Sequence, residues 1–272
     1  MSSWVDVLRE PLLRGLDVEG GDRVARHAEI LERKPLTRNV FEEFYRTCLA
    51  LEAEHVDLTS GLRVELGAGV SFFKKLSPDL LVTDVAPARH IDRILDAQKM
   101  DLPDHSVRVM FGINCFHHFP NPRAFFEELR RVLIPGGACV LIEPAPTPLS
   151  SFIHRRLFST EIYDPAAPQW SAPDRGVMRG ANQALSTMVF RRDRAVYQRE
   201  FADLPVVDDR PVLNGIRYLL SGGLNFKSLV PPFSARAIRF LEKAGSFVSP
   251  LWALHHAIVI KRANCSSGHL PE

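Results

Sequence analysis

The sequence is short of cysteine, of excess charge and of long apolar runs. Four cysteines (Cys48, Cys115, Cys139 and Cys265) are scattered through 272 residues with no C-x-x-C pair. That excludes a disulfide frame and a cysteine zinc site, and predicts reduced thiols in a cytoplasmic setting. The 34 Lys and Arg nearly balance 32 Asp and Glu, for a formal net charge of +2. So even a balance gives no basic footprint, and a nucleic-acid partner is not expected. No stretch reaches the ~18 apolar residues of a membrane span. The opening MSSWVDVLREPLL carries acids early and lacks an unbroken apolar core, unlike a secretory signal. Internal repeats are absent. Hydrophobic residues at 46% and charged residues at 24% are ordinary for a globular protein of one large domain, or one domain with an elaboration.

What is present is organised around Leu62 to Ser71, LRVELGAGVS. A short apolar strand, Leu62, Val64 and Leu66, breaks at Gly67-Ala68-Gly69. Glycines at a strand end let the backbone turn sharply and let a ligand approach the main chain. Glu65, two residues earlier, can project a carboxylate toward that ligand. This pattern reads as a nucleotide-type site at the carboxyl end of the first strand of an open α/β sheet. A dinucleotide site needs G-x-G-x-x-G, but Phe72 occupies the third glycine position, and no G-K-[ST] follows to cradle phosphate. The next apolar run, Leu80 to Val85, ends at Asp84, 15 residues beyond Gly69. An acid there can accept both hydroxyls of a ribose.

Further strands are expected within Ile91–Gln98, ending at Asp96-Ala97, and over Val107–Asn114. Asn121-Pro122 then opens a helix as cap and first residue. Ala124, Phe125, Leu129, Val132 and Leu133 form its expected buried stripe, Pro135-Gly136-Gly137 ends it, and Ala138–Ile142 forms a strand closing in Glu143-Pro144.

These residues resemble the class I methyltransferases that use S-adenosylmethionine (SAM), in their small-molecule branch. The E-x-G-x-G turn resembles that family's first motif, with Ser71 where a third glycine is common. Asp96, Ala97, Met100 and Ser106 match a second motif, although Asp101 stands where proline is usual and Val107-Arg108 where Phe-Asp is usual. HHFPNPRAFFEELRRVLIPGG resembles the family's most specific signature, and the whole likeness covers Leu62 to Pro144. It implies SAM contacts at Glu65, Gly67, Ala68, Gly69, Ser71, Asp84, Val85, Asp96, Ala97 and Asn114. By this resemblance the glycine loop lies against the amino-acid end, Asp84 holds the ribose, Val85 packs on the adenine, and Asp96 and Ala97 hold the base.

The resemblance also implies a fold: a mostly parallel seven-stranded α/β sheet, helices on both faces and an antiparallel last strand. Residues 1–58 form an N-terminal helical cap, 59–145 and 233–263 the core, and 264–272 a tail. A large insertion after the fifth strand, 146–232, becomes a substrate lid. It is rich in proline, aromatics and arginines (Arg155, Arg156, Arg175, Arg179, Arg191, Arg192). The helix Thr37–His55 either packs on the sheet or closes over the cofactor through Arg38 or Tyr45. Ser234–Ala244 reads as a helix burying Ile238, Phe240 and Leu241, with Phe247-Val248 and His256–Ile260 as closing strands.

The implied activity is transfer of the SAM methyl group to an O, N or C atom of a small molecule, such as a natural-product intermediate or a sugar or glycoconjugate precursor. His117 and His118 are the candidate catalytic residues, with Glu143 at the next strand end, since histidine suits proton transfer near neutral pH. No metal is expected. Asn114-Cys115-Phe116 offers no acid where some relatives bind magnesium, and His255-His256 lacks a partner at zinc-ligand spacing. The alternative is a SAM-binding module that works by protein interaction without transfer; a homodimer is left open. A nucleic-acid methyltransferase would want an Asn/Asp-Pro-Pro-Tyr loop, which Asn114-Cys115-Phe116-His117 is not.

Overall fold

The computed structural model of the chain describes residues 7–17, 20, 22–157, 161–171, 176 and 180–264. The readings made above for Arg175, Arg179, Cys265 and the end of the tail lie outside the described residues. Seven strands form one sheet: β1 (Leu62–Leu66), β2 (Leu81–Asp84), β3 (Arg93–Ile94), β4 (Val107–Ile113), β5 (Leu133–Pro144), β6 (Val206–Val212) and β7 (His255–Lys261). Their order is β3-β2-β1-β4-β5-β7-β6. Every pair is parallel except the two made by β7, which runs antiparallel to β5 and β6. The order reverses between β1 and β4. A sheet of this kind opens a crevice at the carboxyl ends of the strands at that reversal.

The central strands are mostly apolar because both their faces are covered. One face takes α2 (Pro35–His55), whose Val40, Phe44, Tyr45 and Cys48 pack with Phe111, Val140 and Val259 of the sheet. The other takes α3 (Pro122–Val132), whose Phe125, Phe126 and Leu129 pack with Met110, Leu141 and Ile258. The Asn121 side chain accepts the Ala124 N–H at 3.3 Å and Pro122 is the first helical residue, as the sequence predicts. Phe125, Leu129, Val132 and Leu133 are buried as expected, while Phe126 takes the place of the half-buried Ala124. Ahead of α2, α1 (Asp22–Arg33) forms the rest of the helical cap.

Four expectations need correction. The strand after α3 spans Leu133–Pro144 rather than Ala138–Ile142, because Pro135-Gly136-Gly137 makes an irregularity inside it, with Gly136 at φ +84°. Phe247-Val248 forms no strand but a 3-10 turn, Ser246–Val248. The remaining strand, β6, lies within 146–232, the segment read as a lid. Its sequence VVDDRPV hides it, since an edge strand carries charge and proline to block further pairing. The same segment supplies α4 (Pro148–Arg156), α5 (Arg194–Glu200) and α6 (Gly215–Ser221). Leu185, Met188, Phe190, Tyr197 and Phe201, also from it, join the core on the α3 face.

The fourth correction concerns α7 (Ala235–Ala244). It buries Ile238 and Glu242 but leaves Phe240 and Leu241 on the surface. Glu242 is held inside by Arg217 of α6, which donates both its backbone N–H, at 2.9 Å, and its guanidinium. That buried pair fixes the rotation of the helix. A final short helix, α8 (Ser249–Trp252), leads into β7. Among the described residues no helix is long and apolar enough to cross a membrane.

Candidate active site

A cavity of about 510 Å³ lies at the carboxyl ends of the parallel strands. It follows the strand order. Asp96 and Ala97 after β3, Asp84 and Val85 at β2, Gly67, Ala68 and Gly69 after β1, and Asn114 and His117 after β4 all line it, and Pro144 and His255 continue the wall at β5 and β7. Of the twelve residues singled out from the sequence, ten face this one cavity; Glu65 and Ser71 do not. That volume is typical of a small-molecule site.

The loop after β1 is shaped by backbone. Gly67 and Gly69 sit at φ +57° and +55°, a region that side chains rarely enter. A Cβ on Gly67 would lie 2.7 Å from Cys115 Cβ, so the β1 and β4 loops can touch only because it is glycine. A Cβ on Gly69 would meet only the Gly67 carbonyl oxygen, at 4.0 Å, which leaves its backbone free for a ligand to approach. Asp84 Oδ2 accepts the Gly69 N–H at 2.8 Å and Oδ1 accepts the Ala86 N–H at 3.0 Å. Each oxygen keeps a lone pair for a further donor. Asp96 is placed alike, accepting the Gln98 N–H at 2.8 Å. Asn114 at φ 51° turns the chain out of β4.

Glu65 is buried behind the loop instead of projecting into the cavity. Its Oε2 has no hydrogen-bond partner. Burial, with the Asp84 charge adding to it, pushes its carboxyl up to about 8, against a bond from Ser71. Ser71 itself accepts the Phe73 N–H at 3.0 Å. Tyr45 and Arg38 do not reach the cavity: Tyr45 stacks on Phe73, and the Arg38 guanidinium lies over Phe72. The cap contributes Arg23, Val24, His27 and Phe41 in their place.

The β4 end carries the densest charge. Glu143, fully buried at the end of β5, accepts the N–H groups of Cys115 and Phe116 at 3.0 and 2.8 Å and faces His117 Nδ1 at 2.5 Å. The other ring nitrogen, Nε2, lies 3.5 Å from Glu161 Oε2. Burial opposes charge on this ring, but the two carboxylates overcome it and hold His117 up at about 10. Glu161 is pushed up by burial yet pulled down further by His117, to about 2. The pair is therefore an imidazolium and a carboxylate at neutral pH. Gln183 donates to the same carboxylate. The ligand atoms of His117, His118 and Glu161 lie within 4.8 Å of one another. Two neutral rings complete this end: burial lowers His154 to about 4 and His255 to about 3. His256 turns away to Asp209, 2.8 Å from its Nδ1.

Sequence reading missed Glu161, Gln183, Tyr218 and the cavity-facing role of His255. Glu161 and His117 are 44 positions apart with no spacing rule between them, and no signal in the chain could have joined them.

The profile of the family described as "Methyltransferase domain" matches residues 76–141. The matched stretch runs from the turn before β2 into β5 and is similar to a methyltransferase domain. No curated protein sequence matches it. Among solved structures, phosphoethanolamine N-methyltransferase 2 of Haemonchus contortus in complex with SAM is similar at 11% identity, over 98% of this chain and 61% of that one, with a TM-score of 0.50. Geranyl diphosphate C-methyltransferase of Streptomyces coelicolor A3(2), in complex with Mg2+, geranyl diphosphate and S-adenosyl-L-homocysteine, is 13% identical over 94% and 90% of the two chains, at a TM-score of 0.46. The first likeness is one of fold. The cavity fits SAM on its own terms. It has an open glycine cradle, two acids with spare lone pairs and, behind the loop, a buried carboxylate oxygen without a partner.

Proposed function

We propose that this chain is a class I SAM-dependent methyltransferase that transfers the SAM methyl group to an O, N or C atom of a polar small molecule in the cytoplasm. The acceptor is a natural-product intermediate or a sugar or glycoconjugate precursor. The observation that carries this reading is the single cavity running from the glycine loop to Glu161. One half matches what SAM requires. The other is an enclosed pocket of hydrogen-bonding side chains, suited to a hydroxyl- or amine-bearing acceptor.

When bound, SAM supplies a methyl group already activated by its sulfonium. The protein's part is to hold and to orient. Asp84 takes the ribose, Asp96 and Ala97 the adenine edge, and Val85 its face. Glu65 offers its unpartnered oxygen from behind the loop to the amino-acid end. Holding an acceptor atom in line at ~3–3.5 Å supplies ~7–11 kcal/mol of the barrier. At the far end Glu161 receives the hydrogen bond of the acceptor, backed by the His117 cation. A hydroxyl that gains a methyl group becomes a strong acid, so even a carboxylate held near 2 takes its proton. His117 and Glu143 position that carboxylate. The segment around α4 and α6 closes the cavity as the lid.

The test follows label from methyl-labelled SAM into fractions of a cell lysate. Label in small molecules is expected. Label only in nucleic acid or protein, or none in any fraction, would overturn the acceptor class.

A further inference from the structure

Helix α7 is turned inside out. Its one acid, Glu242, is fully buried, while Ala237, Phe240, Leu241 and Ala244 are exposed. Those four recur at helical spacing, so they form one stripe along the outer side. Arg236, Arg239 and Lys243 run along one flank of that stripe, and Ile238 and Glu242 occupy the inner side. A single exposed leucine would mean nothing, because folded surfaces are largely apolar. A continuous apolar stripe set opposite a buried charge is different.

The neighbouring elements extend it. Phe233 just before α7 is 86% exposed, Phe240 on it 71%, and Phe247 in the turn after it 82%. Leu229 and Leu251 are exposed on the same stretch of chain. From Lys227 to Ala253 the only acid is Glu242, and it is sealed inside. Every charge this stretch shows to solvent is positive. Arg239 also pairs with Glu43, which leaves Arg236 and Lys243 as the outward cations of α7. Helix α4 packs against the end of α8, where Thr147 Oγ1 donates to the Ala253 carbonyl at 2.7 Å. That helix also exposes Phe152, Arg155 and Arg156.

We propose that this face docks on an anionic lipid surface, lying in the interface with its aromatic and aliphatic groups among the acyl chains and its basic flank at the headgroups. Aromatic and leucine side chains beside arginine and lysine, on a short helix with no exposed acid, fit that partner by charge and by polarity. Long basic side chains flanking an apolar stripe reach the headgroup layer while their stems stay in the apolar one. The elements behind the face also wall the cavity: His154 of α4 and Tyr218 of α6 line it, and α6 supports α7 through the Arg217–Glu242 pair. A docked protein thus holds its cavity beside the headgroups.

The experiment is flotation of the full chain with two kinds of vesicle, phosphatidylcholine alone and phosphatidylcholine mixed with phosphatidylglycerol. The protein should float with the mixed vesicles, and less as salt is raised. Phe240→Glu with Phe247→Glu should weaken binding by roughly tenfold or more. Arg236→Gln with Lys243→Gln should weaken it by about fivefold per charge, with the loss confined to the mixed vesicles. All four sites are exposed, so thermal midpoints should not move; where one does, Phe233→Ser with Leu251→Ser replaces that pair. The proposal fails if the native protein stays at the bottom with mixed vesicles, or if the two phenylalanine changes leave flotation intact. It fails equally if sedimentation in lipid-free buffer shows a dimer that those changes dissolve, since the face would then belong to a second copy.

Discussion

The two ends of the cavity are built by different means. The end at β1 to β3 is made of backbone: glycines at positive φ, N–H groups turned onto Asp84 and Asp96, and strand ends set by the sheet order. The end at β4 to β7 is made of side chains gathered from across the chain, with His117, Glu143, Glu161 and Gln183 arranged around one buried cation. The first kind of site has little freedom to vary, because every part depends on a turn. The second can change its chemistry by one substitution while the turns stay put. On the proposed reading, recognition of the cofactor and choice of acceptor are separated in this way within one continuous space.

The strongest way to break that division is to substitute Glu161. Glu161→Gln keeps the shape and removes the charge, and should lower kcat by roughly 10²–10⁴. Affinity for SAM, measured by calorimetry, should stay where it was. A parallel loss of SAM affinity would show that the two ends act as one. His117→Gln is the poorer test, since Glu143 would be left buried without its countercharge. Transfer should also survive chelation with EDTA; a loss that an added divalent ion restores would assign the His117, His118 and Glu161 cluster to a cation instead of a proton.

The converse experiment acts on the backbone-built end. Asp84→Ala should weaken SAM binding on the order of 100-fold, from two hydrogen bonds to a charged acceptor at ~1.5–3 kcal/mol each. Its melting temperature should change little, because Asp84 lies at the rim and the core does not depend on it. Unchanged affinity would mean that the ribose lies elsewhere.

This difference also decides what could be read from the sequence. Gly67, Gly69, Asp84 and Asp96 are legible because each owes its position to the strand just before it, so local pattern is enough. The Asn121-Pro122 cap and the central strands are legible for the same reason. Glu161 was not, because it meets His117 only through tertiary folding. β6 was missed because an edge strand wears the composition of a loop. Phe240 and Leu241 were assigned to the core because periodicity shows which residues share a face, but not which face is turned inward. There a buried ion pair, Arg217 with Glu242, overrode the hydrophobic pattern.

The smallest effect is electrostatic and sets the two ends against each other. His117, raised from 6.5 to about 10, stabilises the fold fully below pH 6.5 and loses that contribution as the pH climbs toward 10. Glu161, lowered from 4.5 to about 2, contributes fully above pH 4.5 and loses it as the pH falls toward 2. The far end is therefore firmest between those limits. Glu65 works the other way. Its carboxyl, raised from 4.5 to about 8, keeps its proton in the folded chain where the unfolded chain has lost it. Between pH 4.5 and 8 the unfolded state binds fewer protons, so stability falls as the pH rises. Glu65→Gln removes that dependence without removing volume. Thermal melting in the absence of SAM should show the variant equal to the native protein near pH 4.5 and higher at pH 8, by about 2–4 °C for each kcal/mol regained in a chain of this size. With SAM present the order should reverse, because the cationic amino group of SAM needs the ionised carboxylate and the glutamine cannot supply it. A variant that melts like the native protein at both pH values would place a counterion or water at Glu65 Oε2, and would remove it from the cofactor's binding set.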